Sequence, residues 1–290
     1  MRLLLLSSLA TVACSGPVSG PEPERPMSAT LLPTASPLGL SGLTTDPAGN
    51  VWAIPERTRE VIKLASHHGI AIEERVGLIG VPVGLETESI TWLGGSIIAI
   101  GTEAAGDRSS DLILLATRAN DNFVVTDSLS LSYAPWETVG VDNEGIEGIC
   151  AAGGFLFAAG EVVLETESGP AAPLGIFNLG TRQWTHTTIA LTSTSGKIAG
   201  LDCRQTDPSS GVVELVAIER HFDVRRVLSM TVSSEPPATS NLRIASDVSE
   251  AISDNIEGIT FGDRSWLLVT DNYFRGRQDG PGKLIAVRGN

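Results

Sequence analysis

Acidic side chains recur at two positions of a repeated pattern in this sequence. A glutamate stands directly before a short apolar run at three places, which are Glu88, Glu147 and Glu257. A second acid follows the next apolar run in every copy of the pattern, and this set consists of Glu56, Glu103, Glu161, Glu219 and Asp271. Carboxylates that converge on one point repel one another unless a cation lies among them. The pattern therefore predicts a cation site.

The chemistry of the candidate ligands selects the cation. Ca²⁺ accepts about 6–8 oxygen ligands in loose geometry, which suits a set of carboxylates. Zinc prefers nitrogen and sulfur ligands, and the sequence has only 4 His and 3 Cys residues. We therefore expect Ca²⁺ as the bound ion, with Glu88, Glu147 and Glu257 as the better candidates of the two sets.

The same acids also permit a structural interpretation. A glutamate before glycine can accept hydrogen bonds from loop amides, and Ser41 and Ala199 replace the acid in two copies. The second set lies 2 to 4 residues beyond the middle of its apolar run. Because alternate residues of a strand face opposite ways, we do not expect all members of the second set to face one channel.

The pattern itself predicts the fold. Its copies begin at 41, 88, 147, 199 and 257, and a period of roughly 50 residues is typical of propeller blades and other arrays. Turn-forming residues in the first copy separate four strand-like runs, which are Ser41–Thr45, Val51–Ile54, Val61–Leu64 and Ile70–Val76. No segment shows a sustained helical period, so we predict an all-β fold. Four antiparallel strands form one blade, and the expected architecture is a five-bladed β-propeller, with six blades as the alternative if the longest intervals hide a weak copy.

The last copy is one strand short. After runs at Trp266–Thr270 and Lys283–Val287, the sequence ends at Asn290. A run at Ala29–Leu32 can supply a fourth strand, and closing the ring in this way pairs backbone groups that open edges would expose. We therefore expect residues 37–290 to form a single propeller domain, closed by that N-terminal strand. In such a ring the first strand of each blade lines the channel, and both sets of acids lie at the same end of it.

The N-terminal segment is typical of an export signal. The run Leu3–Ala13 is too short to span a bilayer, so residues 1–13 are interpreted as a signal peptide. The sequence Thr11–Cys14 resembles the lipobox of bacterial lipoproteins, which predicts a lipid on Cys14 that anchors the protein to a membrane. Cleavage by an ordinary signal peptidase, giving a soluble secreted or periplasmic protein, is the alternative. The Pro-rich residues 14–36 then form a tether that contains the closing strand.

The overall charge restricts the partners. The formal net charge is −14 and the isoelectric point is about 4.7. Nucleic acid is therefore not expected as a partner, because the phosphate backbone attracts basic surfaces. We expect a monomer that binds a small molecule or a protein at the acidic end of the channel.

Two cysteines, Cys150 and Cys203, remain in the propeller region. Export permits a disulfide between them. They lie three and four residues after the starts of their copies, so their side chains should face opposite sides of their strands. We therefore expect two buried free thiols.

The stretch Asp254–Phe261, together with Leu267–Asn272, resembles the bacterial SdiA-regulated (YjiK-like) propeller family. It is also similar to the related phytase-like domains that are called esterase-like activity of phytase. The first resemblance implies a five-bladed propeller, export and a bound calcium ion, with the family's acids carried over to Glu147 and Glu257 and, by a looser match, to Glu88. The second resemblance implies hydrolysis of an ester or phosphoester.

Residues that could perform catalysis are sparse. The sequence contains no G-x-S-x-G motif, and His221 is the only histidine expected at the acidic end, where it could act as a general base. Arg275 and Arg277 follow Asp271 in a loop and could contact an anionic ligand. We therefore favour an exported, lipid-anchored, calcium-binding propeller that acts as a binding or interaction module at the cell envelope. The alternative is a calcium-dependent hydrolase of a phosphoester, an ester or a lactone.

Overall fold

The computed structural model describes residues 27–31, 39–64, 72–208, 211–274, 277–278 and 282–288. Within these residues the chain forms 23 strands and one short 3₁₀ turn at Ala134–Trp136, which confirms the predicted all-β class. No helix in this part of the chain is long and apolar enough to cross a membrane. The predicted signal peptide and Cys14 lie outside the described residues.

The strands have the following bounds. Strands β1 to β5 are Met27–Leu31, Leu40–Thr45, Val51–Pro55, Glu60–Leu64 and Ile72–Ile79. Strands β6 to β9 are Leu85–Gly94, Ile97–Ala104, Ser110–Ala119 and Asn122–Ser132. Strands β10 to β14 are Gly148–Ala152, Phe155–Ala159, Leu164–Thr166, Gly169–Asn178 and Gln183–Ala190. Strands β15 to β18 are Lys197–Arg204, Val212–His221, Val224–Ser234 and Pro237–Asp247. Strands β19 to β23 are Asn255–Phe261, Trp266–Asp271, Tyr273–Phe274, Arg277–Gln278 and Lys283–Val287.

The strands pair in groups that follow the copies of the repeat. Strands β2 to β5, β6 to β9 and β15 to β18 each form an antiparallel group in chain order. The third group contains β10, β11, β13 and β14, with β12 folded back on β13. In the last group β1 pairs with β23, so the N-terminal strand supplies the fourth strand that the last copy lacks. A parallel pairing of β5 with β9 joins the first two groups into one eight-stranded sheet, and β21 and β22 form a separate hairpin.

The first strands of the groups form a closed ring. Strands β2, β6, β10, β15 and β19 contact one another in that cyclic order, and β19 returns to β2. Glycines permit this close approach, since a Cβ atom on Gly148, Gly200 or Gly258 would lie 2.5 to 2.8 Å from a backbone atom of the next strand. Apolar side chains such as Leu201 and Ile259 then close the narrow space beneath. The ring is therefore open to a ligand from the end at which the first strands begin.

Apolar clusters fill the spaces between neighbouring groups. Strand β16 shows why its sequence is almost continuously apolar. Leu215 and Ala217 pack towards the third group, whereas Val216 and Ile218 pack towards the last group. Because both faces of the strand are buried, it does not show the apolar–polar alternation of a half-exposed strand.

The prediction of two free thiols is wrong. Cys150 in β10 and Cys203 in β15 form a disulfide, with their Cα atoms 5.6 Å apart. The two strands belong to different groups that pack face to face, and both cysteines lie in the apolar cluster between them. Side chains that leave the opposite faces of two such neighbouring sheets point towards each other. Side chains on opposite faces of their own strands are therefore compatible with a disulfide when the two strands belong to neighbouring sheets.

Candidate functional site

The open end of the ring holds a cavity of about 360 Å³, which we call the acidic cavity. Seven of the predicted acids line it, namely Glu56, Glu88, Glu103, Glu147, Glu161, Glu257 and Asp271. The remaining side chains of its wall are Ser41, Arg57, Asn143, Arg220, Asn255 and Tyr273. The fold thus brings together at one place both sets of acids that the repeat pattern singles out, with one exception.

Bulges in the first strands aim the first set of acids at this cavity. The antiparallel ladder skips one residue in four of these strands, and the skipped residues are Ser41, Glu88, Ala199 and Glu257. A bulge leaves its extra residue outside the ladder and redirects its side chain. Glu147 stands directly before β10 and is likewise outside the ladder. Four copies thereby present this residue to the cavity, whereas Ala199 of the fourth copy lies in an apolar cluster.

Four acids of the second set reach the cavity because of where their strands end. Glu56 and Glu161 follow the last residues of β3 and β11, and Asp271 is the last residue of β20. Glu103 is the penultimate residue of β7. Glu103 and Asp271 are still paired in their ladders, whereas Glu56 and Glu161 lie beyond the ends of their strands, so acids at different distances from the strand middle converge on one space.

Glu219 is the exception and does not reach the acidic cavity. It lies inside β16, and its side chain is fully buried. Its carboxylate accepts hydrogen bonds from the backbone amides of Thr192 and Ser193, at 2.8 and 3.0 Å. The hydroxyl groups of the same two residues also donate to it. Glu219 therefore fixes the turn that precedes β15.

Arg220, the next residue, takes the place of an acid in the fourth copy. Its Nη2 donates to both carboxylate oxygens of Glu257, at 2.6 and 2.8 Å, and lies 3.9 Å from Glu161. Burial alone would lower the pKa of Arg220, but the surrounding carboxylates of Glu257, Glu161 and Glu147 raise it. The guanidinium therefore remains charged and neutralises one side of the cavity.

Three buried carboxylates have no such partner. Glu88, Glu103 and Glu147 are 5%, 9% and 6% exposed, and among the described residues none of them forms a salt bridge. No described group donates a hydrogen bond to the carboxylate of Glu103 or Glu147. A buried carboxylate without a partner is costly in its ionised form. Glu103 and Glu147 therefore either hold protons or share a cation, whereas Glu88 has a hydrogen bond with Ser41.

The pKa values express the same conflict. Burial raises the pKa of Glu103 to about 8, and the nearby carboxylates of Glu161 and Glu86 contribute to the rise. Burial also raises the pKa of Glu147 well above its ordinary range, and repulsion from Glu88 and Glu161 adds to this effect. For Glu88 burial is again the main cause of a strongly raised pKa. An ion of double positive charge among these groups would remove the repulsion and restore their ionised forms.

Glu56 and Glu88 of the cavity wall form, together with the neighbouring Glu86, a group of acids that could hold a cation. Ligand oxygens of Glu56, Glu86 and Glu88 all lie within 4.8 Å of one another. Arg57 offsets part of this charge, with its Nε 3.2 Å from Glu56 and 3.4 Å from Glu86. Burial raises the pKa of Glu56 to about 7 even so. The donors are all oxygen atoms, which suits a hard cation such as Ca²⁺.

A second cavity, of about 390 Å³, adjoins the acidic cavity, and we call it the side cavity. The two share part of their walls, namely Asn143, Glu161, Arg220, Asn255 and Asp271. His221 lines the side cavity and is not part of the acidic cluster, and burial lowers its pKa. Arg275 lies outside the described residues, as does the side chain of Arg277.

Comparison with solved structures finds similar folds at low sequence identity. The luciferin-regenerating enzyme is 12% identical, with 84% of this chain and 73% of that chain covered and a TM-score of 0.51. The PQQ-bound aldose sugar dehydrogenase from Streptomyces coelicolor is also 12% identical, covers 91% of this chain and 98% of its own, and has a TM-score of 0.48. Virginiamycin B lyase from Staphylococcus aureus is 10% identical over 90% of this chain and 98% of its own, with a TM-score of 0.39.

These similarities concern the fold. No protein-family model matches the chain, and no curated protein matches it. The resemblance to SdiA-regulated and phytase-like propellers therefore stays a prediction. The similarity to the luciferin-regenerating enzyme concerns an all-β, propeller-like arrangement of sheets.

Proposed function

We propose that this chain is a five-bladed β-propeller that binds Ca²⁺ in the acidic cavity and serves as a binding module for a ligand at that face. The closed ring of five first strands supports the number of blades. One observation carries the proposal of a metal. Glu147 is 94% buried and faces a cavity lined by six other carboxylates, and among the described residues it forms no salt bridge and accepts no hydrogen bond at its carboxylate.

The lining offers ligands of the right kind for calcium. Seven carboxylates face two guanidinium groups across the acidic cavity, so a divalent cation reduces an excess of negative charge. Ser41, Asn143 and Asn255 add neutral oxygen atoms to the wall. Calcium accepts such mixed oxygen sets, whereas magnesium demands a stricter octahedron and keeps more of its water.

The place of action is proposed from the sequence alone. A signal peptide over residues 1–13 and a lipid on Cys14 would hold the propeller at the outer surface of a bacterial membrane, with residues 14–36 as the tether. The acidic cavity would then be presented to ligands of the cell envelope, either small molecules or proteins. Soluble secretion remains the alternative location, and we propose a monomer in both cases.

A calcium-dependent hydrolase is the second candidate. His221 lines the side cavity next to the acidic cavity, and its lowered pKa leaves the imidazole neutral near pH 7 and able to accept a proton. Bound calcium would supply polarisation of a substrate oxygen. Phosphoesters, esters and lactones are the substrate classes that the sequence resemblance suggests.

Calcium binding can be tested by thermal unfolding. A ligand that binds only the folded state stabilises it by about 2.7 kcal/mol at 100 times its Kd, so we expect a higher melting temperature in Ca²⁺ than in chelator. Glu147→Gln should abolish most of this shift and leave the metal-free protein as stable as before or more stable, because it removes an unpaired buried carboxylate. Glu165→Gln, on exposed β12, is the matched control and should keep the full shift.

The opposite results are informative. If Ca²⁺ does not raise the melting temperature and elemental analysis finds no metal, the calcium proposal is wrong. If Glu147→Gln destabilises the metal-free protein, Glu147 has a structural role.

For the hydrolase, a panel of phosphoesters, esters and lactones is assayed with the wild type and with His221→Gln. Turnover that is the same in both would remove His221 from the reaction.

A further inference from the structure

The side cavity differs in character from the acidic cavity beside it. Its wall combines basic, aromatic and polar side chains, including Lys197, His221, Phe222 and Arg225. The shared wall with Arg220 places the two cavities next to each other on the same face. A molecule bound in the side cavity would therefore lie beside the acidic cluster without displacing it.

Arg225 is a positive charge that is held in position but not neutralised. Its Nε donates to the backbone oxygen of Asp254 at 3.0 Å, and its Nη2 donates to that of Ser253 at 3.1 Å. The carboxylate of Asp254 is taken by Lys283, whose Nζ lies 2.8 Å from both oxygens. Within the described residues Arg225 has no carboxylate partner, and no group accepts a hydrogen bond from its Nη1. A guanidinium that is fixed by carbonyl groups is preorganised for an oxyanion.

The other cations of this wall are already paired. Lys197 lies 2.5 Å from Glu144, and Arg220 forms its two-oxygen contact with Glu257. His221 is mostly neutral near pH 7, since burial, followed by the charges of Lys197 and Arg220, lowers its pKa. Arg225 is thus the group of this wall that is left to meet an incoming anion.

Phe222 adds an apolar surface to the same cavity. It occupies the turn between β16 and β17, is 80% exposed, and has a φ of +36°. A bulky residue is rare at positive φ, where glycine or asparagine would be less strained. Its ring centroid lies 4.2 Å from that of His221. Neither the turn nor the core requires an exposed aromatic ring here, and strained residues of this kind cluster at ligand sites.

From these observations we infer that the side cavity binds an amphipathic oxyanion, that is, a phosphate or carboxylate group carried on an apolar ring. The oxyanion contacts Arg225, and the ring lies against Phe222 and His221. The ligand class is new, whereas the choice of this face of the molecule rests on the proposed function. Since Glu161 and Asp271 line the shared wall, a cation in the acidic cavity would weaken their repulsion and strengthen anion binding.

Isothermal titration of the full-length, metal-stripped protein tests the inference. The probes are phenyl phosphate, phenylacetate and inorganic phosphate. Arg225→Gln should weaken binding of phenyl phosphate and phenylacetate by about tenfold or more, the effect expected for loss of a charged hydrogen bond. Phe222→Ala should weaken binding of the two aromatic probes by about threefold or more and leave inorganic phosphate unchanged.

Arg204→Gln is the matched control. Arg204 also lies in a cavity beside an aromatic ring, with its guanidinium 4.3 Å from the centroid of Phe261, but Glu214 neutralises it at 2.7 Å. This variant should bind all probes as the wild type does. The exposed Phe222 makes no contact on which the fold depends, so Phe222→Ala keeps the test valid if Arg225→Gln does not fold.

Several outcomes would overturn the inference. They are no binding of phenyl phosphate or phenylacetate to the wild type, unchanged binding in a folded Arg225→Gln variant, or equal binding of the aromatic probes to Phe222→Ala. The titration is repeated with Ca²⁺ and phenylacetate, where a tighter Kd is expected because the two sites are linked. Anion binding without any calcium effect would support the side cavity while counting against the metal. Calcium binding without anion binding would do the reverse.

Discussion

The fourth copy of the repeat and the other four copies place opposite charges on the same cavity. Where the second strand ends, the other copies present an acid, and these acids are Glu56, Glu103, Glu161 and Asp271. The fourth copy presents Arg220 instead, while Glu219 turns away to hold a loop. Its first strand also lacks the acid, since Ala199 occupies the bulge that Glu88 and Glu257 occupy elsewhere.

This difference separates what the fold needs from what the site needs. The bulge forms with serine or alanine as well as with glutamate, so the carboxylate is not required to build the ring. The acids are therefore free to serve the cavity, and the fourth copy supplies a cation at the position where the other copies have an acid. Glu257 and Glu161 lie within salt-bridge distance of Arg220, whereas Glu88 and Glu147 form no salt bridge within the described part of the chain. For the proposed metal ion we therefore expect a position nearer to Glu88 than to Arg220.

Replacing Arg220 tests the contrast most severely. Arg220→Met leaves Glu257 and Glu161 without their counter-charge in a buried site, and removal of one partner of a buried ion pair costs about 3–5 kcal/mol. Chemical denaturation in chelator at pH 8 should show a loss of this order. Calcium should recover more stability in the variant than in the wild type, because more carboxylates are then unpaired.

The double variant Arg220→Met/Glu257→Gln is the control for this prediction. Removing both partners should cost less than removing Arg220 alone, because the unpaired carboxylate is no longer present. If the single and the double variants lose the same stability, Arg220 does not neutralise Glu257.

The link between the third and fourth copies provides the next test. The Cys150–Cys203 disulfide joins their first strands across a sequence separation of 53 residues. A cross-link that closes a loop of this size contributes about 3–4 kcal/mol through the unfolded chain. The variant Cys150→Ala/Cys203→Ala should therefore unfold at a markedly lower denaturant concentration. Because the bond lies in the apolar cluster and not in the acidic cavity, the calcium-induced shift should persist.

Much of the fold was accessible from the sequence because the repeat is strong. The spacing of the copies predicted the all-β class, the shared end of the two sets of acids and the closing N-terminal strand. The disulfide was missed because within-strand alternation was applied to two strands of different sheets. Strand β18, at Pro237–Asp247, was also missed, since it begins at a proline and carries mostly exposed polar residues.

The site was predicted less completely, for reasons of register. The bulge at Glu88 or Glu257 depends on the pairing of two strands. It has no recognisable pattern in the sequence of either strand alone. Arg220 did leave a signal. It lies three residues after Ala217, the middle of its strand, just as Glu161 lies three residues after Ala158. A search restricted to acids selected Glu219 and overlooked the residue that holds the equivalent position.

Glu219 itself provides a smaller test of the same comparison. Glu219→Ala removes a buried carboxylate that accepts bonds from Thr192 and Ser193, and the loss of hydrogen bonds to a charged group costs about 1.5–3 kcal/mol. We expect this decrease in denaturation experiments, with an unchanged Kd for calcium. A weakened calcium affinity in a fully folded variant would place Glu219 in the same functional group as Glu147 and remove the distinction between the two.

The pH dependence of stability provides the last test. Burial raises the pKa of Glu103 to about 8 and those of Glu56 and Glu257 to about 7, from an ordinary value of 4.5. Between pH 4.5 and 8 the folded, metal-free protein therefore binds more protons than the unfolded chain, and its free energy of unfolding falls as the pH rises. Melting temperatures in chelator should accordingly decrease from pH 5 to pH 8, and Glu103→Gln should flatten the decrease.

In Ca²⁺ the trend should weaken or reverse, since the ion binds the deprotonated carboxylates and stabilises the folded state more at pH 8 than at pH 5. Metal-free stability that instead rises over this range would show that the acids of the cavity are ionised and already compensated, and the contrast with the fourth copy would then have no energetic basis.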